Sequence, residues 1–151
     1  MREFFIAFLV LLLQTSVLTK YFSIQGISPD IVTIVVILFA LNKPLYNSIK
    51  LATVIGLFQD IFSSSFFIKN LLIKNMMVLF AFSVKRYFFT YGFFIKSLII
   101  IFLSLLDILV KITFTYFKTG IIYISPGFLL YVLLNFLIFG VYYVINEYKK
   151  G

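Results

Sequence analysis

The sequence holds no cysteine, no histidine and no tryptophan among its 151 residues. Without cysteine there is no disulfide framework and no thiolate metal site. Without histidine the usual imidazole base and the commonest metal ligand are gone. Acid is almost as scarce: five carboxylates stand against thirteen Lys and Arg, for a net charge of +8. Charged residues make up 12% of the chain, where a soluble domain carries about 25%. A water-soluble fold would have too little polar surface to cover itself. What fills the space is apolar: 63% of the residues are hydrophobic and 21 are Phe, and the mean hydropathy is +1.14. The composition predicts a single all-α integral-membrane domain over 1–151, a polytopic helical bundle.

A spanning helix needs about 20 mostly apolar residues. Six segments read as candidates: Phe4–Leu18, Pro29–Leu41, Pro44–Phe62, Leu71–Phe89, Ile95–Thr115 and Gly127–Ile145. The first begins MREFFIAFLVLLL and has no small-residue cleavage site after it, so it reads as an uncleaved helix and not as a signal peptide. Pro29 and Pro44 stand where helix starts tolerate a missing N–H, with Ser28 as a candidate N-cap. Tyr21, Tyr46, Tyr87, Tyr91, Tyr116, Tyr123, Tyr142 and Tyr148 fall near predicted helix ends, as an interfacial aromatic belt requires, and Tyr131 does not. Lys69, Lys74 and Asn75 interrupt the fourth segment: either protein covers that end, or the lysines snorkel to the surface. Five spans in place of six is the alternative count there.

The basic residues lie one or two at a time between apolar runs, which reads as contact with anionic lipid head groups and not with nucleic acid. With an inside N-terminus the inner segments carry Arg2, Lys43, Lys50, Lys85, Arg86, Lys96, Lys149 and Lys150; the outer ones carry Lys20, Lys69, Lys74, Lys111 and Lys118. Eight against five predicts both termini in the cytoplasm.

Three carboxylates sit in apolar surroundings, where an ionised group normally faces protein or a water-filled cavity. Asp107 lies near the middle of the fifth segment with Lys111 one turn on and Ser104 on the same stripe. Acid before base at that spacing makes an intrahelical ion pair; the functional alternative is a proton or ion relay, which needs further titratable partners. Asp60 ends a stripe with Thr53 and Gly56. Small and polar residues at such offsets let membrane helices approach and bond, and the third and fifth segments are expected to dock this way. Asp60 is also expected near the outer end of its helix, within reach of water, Lys69 or Lys74. Asp30 falls in the first turn of its helix, where the exposed N–H groups favour a carboxylate. Asp30 and Asp60 either flank one partner surface or stand as independent helix-end residues. Asn135, on one face with Tyr131 and Tyr142, reads as inter-helix glue, and so does Gln14. There is no phosphate loop, metal-ligand cluster or nucleophile–base pair, and the carboxylates are not spaced as a catalytic pair. The inventory therefore predicts no catalytic residue, no metal and no cofactor.

In order and spacing, four stretches are similar to one family: LLLQTS at 11–16, SPDIVTIVVILFAL at 28–41, GLFQDIFSSS at 56–65 and SLLDILVKI at 104–112. Over nearly its whole length the chain resembles the rod shape-determining protein family MreD. It departs from that family after Asp60, where SSSFFIKN at 63–70 stands in place of a glycine-containing loop. The resemblance implies a non-enzymatic membrane subunit of the cell-elongation machinery. Its partners would be an MreC-like membrane protein, a RodA-type glycosyltransferase and a class B penicillin-binding protein, with the MreB filament indirectly. It also implies a fold similar to the S-components of energy-coupling-factor vitamin transporters. Scaffolding would then use an outer-side surface near Asp30 and Asp60. Two rivals stay open. A vitamin-binding S-component is disfavoured by the missing A-x-x-x-A motif, since Leu11 follows Ala7 at the second position. A small proton-coupled transporter would use Asp107 and Lys111.

Overall fold

The direction of the chain changes where the sequence removes a backbone donor or a Cβ. Lys43 precedes Pro44 and is extended, at φ −117° and ψ 166°, because the proline ring disfavours helix in the residue before it. The Lys43 N–H closes the preceding helix on the Phe39 carbonyl at 2.9 Å, and the Pro44 carbonyl opens the next by accepting the Ser48 N–H at 3.2 Å. Gly120 ends the longest helix in the left-handed conformation, φ 69°, with its N–H on the Tyr116 carbonyl at 2.7 Å. Glycine reaches that φ without a Cβ clash, so it suits this C-terminal cap.

The structure, a computed structural model, describes residues 2–15, 30–62, 68–122 and 127–148. Within them all regular structure is helical: α1 (Arg2–Thr15), α2 (Ile31–Asn42), α3 (Leu45–Phe62), α4 (Lys69–Thr90), α5 (Phe93–Thr119) and α6 (Gly127–Tyr148). Each expected helix is therefore present. Ser28, Pro29, the tail at 63–67 and Pro126 lie outside the described residues.

Two of the six helices, α5 and α6, are long and apolar enough to cross a membrane by length and composition. At about 1.5 Å per residue, the 12 residues of α2 reach about 18 Å, short of a hydrocarbon core of about 30 Å; α1 is described only as far as Thr15. The longer α3 and α4 are diluted by Lys50, Gln59, Asp60, Lys69, Lys74, Lys85 and Arg86. The outward faces of the two long helices are apolar stripes at helical spacing: Leu98, Phe102, Leu105 and Leu109 on α5, and Leu129, Leu133, Leu137 and Val141 on α6, all exposed. A water-facing helix carries its apolar residues on the inner face; here they cover the outer one.

The centre belongs to α2, whose Val32, Thr33, Ile34, Val36, Ile37, Leu38, Ala40 and Leu41 are buried. It packs on α1, α3, α4 and α6, while α4 packs on both α3 and α5. The expected docking of α3 on α5 is not what the fold uses, because α4 takes both faces. The Thr53–Gly56–Asp60 stripe does carry a close approach, but to α4. Thr53 donates its hydroxyl to Asn75 Oδ1 at 3.2 Å. A Cβ on Gly56 would lie 2.5 Å from the Leu71 Cα, a backbone atom that cannot rotate away. Gly56→Ala is therefore expected to destabilise the protein by about 1–3 kcal/mol, the usual cost of overpacking, and Gly56→Val by more. Thermal unfolding in detergent reads the loss; an unchanged midpoint for both variants contradicts the α3–α4 approach.

Candidate functional site

The buried polar residues gather where α2 begins. Its N-cap is Asp30 itself, not Ser28: the Asp30 Oδ1 accepts the Thr33 N–H at 3.2 Å, which satisfies one of the free donors of the first turn. Gln14, from the last turn of α1, lies across the same end. Its amide donates to Asp30 Oδ1 at 3.1 Å and its Oε1 accepts the Val32 N–H at 3.0 Å. The expectation that Gln14 joins helices is met, and its partner is a helix start.

The other oxygen of Asp30 receives two cations. Lys74, from α4, donates at 2.5 Å and Lys111, from α5, at 2.9 Å. Lys74 also donates to the Thr33 hydroxyl. Lys111 reaches back one turn to Asp107 Oδ2 at 2.7 Å, the intrahelical pair that the spacing predicts. Tyr131, from α6, donates its phenol to the same Asp107 oxygen and accepts from Lys111 at 3.3 Å. The Lys111 ammonium also lies 4.9 Å from the centre of the Tyr131 ring. Five helices thus meet on one cluster. Its two aspartates and two lysines cancel in formal charge, which is the condition for holding ions out of water.

Access to the cluster is one-sided. The Lys74 and Asp107 side chains have no exposed surface, whereas that of Lys111 is 24% exposed. Asp107 Oδ1 is buried with no hydrogen-bond partner among the described residues. Asn135 continues the α5–α6 contact by donating to Ser104 Oγ at 3.1 Å, the glue expected of it. Tyr142 accepts from Asn42 at 2.7 Å and ties α6 to the end of α2.

Two alternatives that the sequence leaves open are decided here. Protein covers Lys74, which does not snorkel; it turns inward to Asp30 and not to Asp60, because a lysine one turn into α4 faces the α2 start. Asp60 does not offer its carboxylate to a partner. Its Oδ1 accepts from the Asn70 N–H and side-chain amide, both at 2.9 Å, and its Oδ2 accepts the Leu71 N–H at 3.0 Å. A residue at the end of α3 thereby caps the start of α4, whose own N-cap, Ile68, has no side-chain oxygen to give. Asp30 and Asp60 act as separate helix-end residues, each spent within the chain. Pro29 is outside the described residues. Sequence reasoning missed the Asp30–Lys74 and Asp30–Lys111 pairs and the role of Tyr131. The available signal was that Lys74, Lys111 and Tyr131 each break an apolar stretch without lying at a helix end.

Compared with protein-family models, curated proteins and solved structures, the chain matches none of them.

Asp30→Asn leaves two buried ammonium groups with one carboxylate between them. Breaking a buried pair in this way costs about 3–5 kcal/mol. Adding Lys74→Met restores charge balance at similar volume, so the double variant is expected to regain most of that loss. A double-mutant cycle on thermal unfolding in detergent measures it; additive losses would contradict the cluster.

Proposed function

We propose that the chain is a multi-pass membrane protein of the rod shape-determining MreD kind, with six helices in the bilayer and both termini in the cytoplasm. In this reading it is a non-enzymatic scaffold of the cell-elongation machinery in the bacterial plasma membrane. It would hold an MreC-like membrane protein beside a RodA-type glycosyltransferase and a class B penicillin-binding protein. The observation that carries the reading is the closed, charge-balanced cluster on five helices. A scaffold needs one fixed arrangement, and an ion cluster with cations and carboxylates matched has few alternative pairings. The apolar outer stripes of α5 and α6 support the bilayer part of the reading. The order of the four sequence stretches supports the family part. Because Asp30 and Asp60 are consumed within the chain, a partner would meet the helix surfaces and not those carboxylates.

A second reading has its own observation. A relay through Asp107 and Lys111 needs further titratable partners, and the cluster brings Asp30, Lys74 and Tyr131 to them. In a proton-coupled transporter, Lys111 would be the entrance and Asp107 the inner site. Its test is proton-dependent uptake in vesicles, which Asp107→Asn would abolish while the protein stays inserted and helical.

The tagged protein, drawn from its native membranes in mild detergent, is expected to bring an MreC-like protein and the elongation synthase, read by mass spectrometry. Recovery of an ATPase with a transmembrane coupling subunit would overturn the scaffold in favour of a vitamin-transporter S-component.

A further inference from the structure

Two groups of described lysines lie towards opposite ends of α2. Lys74 and Lys111 are neutralised in the interior by Asp30 and Asp107. At the other end of α2 the pattern reverses. There the α2–α3 turn, the α4–α5 turn and the last turns of α6 come together. Three contacts fix this: Lys85 of α4 donates to the Lys43 carbonyl at 2.6 Å, Asn42 bonds Tyr142, and Lys96 of α5 lies 5.4 Å from the centre of the Tyr143 ring. Lys50, Lys85, Arg86 and Lys96 sit at this end, and none of the four is ion-paired with a described residue.

Their surroundings are aromatic. Lys50 lies 5.7 Å from the Tyr46 ring centre, Lys85 5.4 Å from that of Phe82, and Lys96 5.7 Å from that of Phe88. A cation held over a ring gives up part of its rotamer freedom in advance, so less is lost when an anion arrives. Tyr87, Phe89, Tyr91 and Phe94 are exposed around the same turn.

We propose that this end of the bundle binds the phosphate of an anionic phospholipid, held by Lys85, Arg86 and Lys96 across the α4–α5 turn. The partner must be anionic, because none of these cations is ion-paired with a described residue. It must also offer an apolar boundary, because the rings between them are exposed. A lipid leaflet supplies both within a few ångströms: phosphate in the head-group layer and acyl chain below it. An acidic soluble protein or a nucleic acid matches the charge alone. The inference rests on the membrane part of the preceding reading and not on the scaffold part, so loss of the elongation partners would leave it standing.

The test uses the full-length protein in detergent micelles carrying equal amounts of phosphatidylglycerol and phosphatidylcholine, with retained lipid read by native mass spectrometry. Phosphatidylglycerol is expected to be retained in preference, and the preference should fall as ionic strength rises. Arg86→Gln and Lys96→Gln should each lower it by about fivefold, the factor expected for one cation at an anionic surface. Arg86→Lys should keep it, and so should Lys69→Gln at the opposite end. Retention of the two lipids alike overturns the proposal, as does a preference that Lys69→Gln removes and Arg86→Gln does not. An acidic polypeptide occupying the wild type in place of lipid, and lost with the same substitutions, also overturns it. Failure of the membrane reading itself would show separately, as release of the protein from its membranes by alkaline carbonate.

Discussion

One carboxylate organises this molecule. Asp30 caps α2 with one oxygen and takes two lysines on the other. The lysines come from α4 and α5, and the second carries Asp107 and Tyr131 with it. Gln14 closes the arrangement from α1. The energetics of such a site are lopsided. The assembled cluster need not be worth more than apolar residues of the same shape. Any partial disassembly leaves an uncompensated ion away from water, and that is costly. The cluster therefore acts less as a source of stability than as a rule against other arrangements of the same helices. For a bundle with 63% hydrophobic residues, that rule matters. Apolar side chains pack in many registers with similar energy, whereas Asp30 has one set of positions for two cations.

The helix that the cluster leaves out is fastened by different means. α3 holds α4 through a chain of three contacts one turn apart: Thr53 on Asn75, Gly56 against Leu71, and Asp60 on the first N–H groups of α4. The third contact works because α4 starts without a capping side chain of its own. Together the two devices connect all six helices. Each uses a carboxylate on a helix start, where the backbone already offers donors and the dipole favours negative charge.

Much of this could be read along the chain, and the rest could not for a definite reason. Helix positions follow from apolar runs and from Pro44 and Gly120, which act locally. The Asp107–Lys111 pair is legible because one turn separates its members. The role of Asn135 is legible because a lone amide on an apolar face has few other uses. Asp30 with Lys74 was not legible: the two are far apart in sequence, and charge alone does not say which of several lysines a carboxylate will meet. For Asp60 the sequence left two readings open, and the helix-end one holds; what it could not show is that Asn70 and the first N–H groups of the next helix would be the donors. The short α2 was the clearest conflict between the two views. As a span it is too brief; as a central helix wrapped by four others it needs no greater length.

The two uses of lysine complete the physical picture. Among the described residues the two lysines that turn into the core, Lys74 and Lys111, meet Asp30 and Asp107, so the cluster itself carries no net charge. The positive charge of the chain must then appear at its ends. It does so at one end in company with exposed rings, while the flanks of α5 and α6 stay apolar. On the proposed membrane reading, such a molecule would be sorted by its surroundings: the flanks would select hydrocarbon, and the basic end the anionic face of the layer bounding it. Orientation and internal order thus trace to the same scarcity. Three aspartates hold the core, and five acids against thirteen Lys and Arg leave an excess of positive charge.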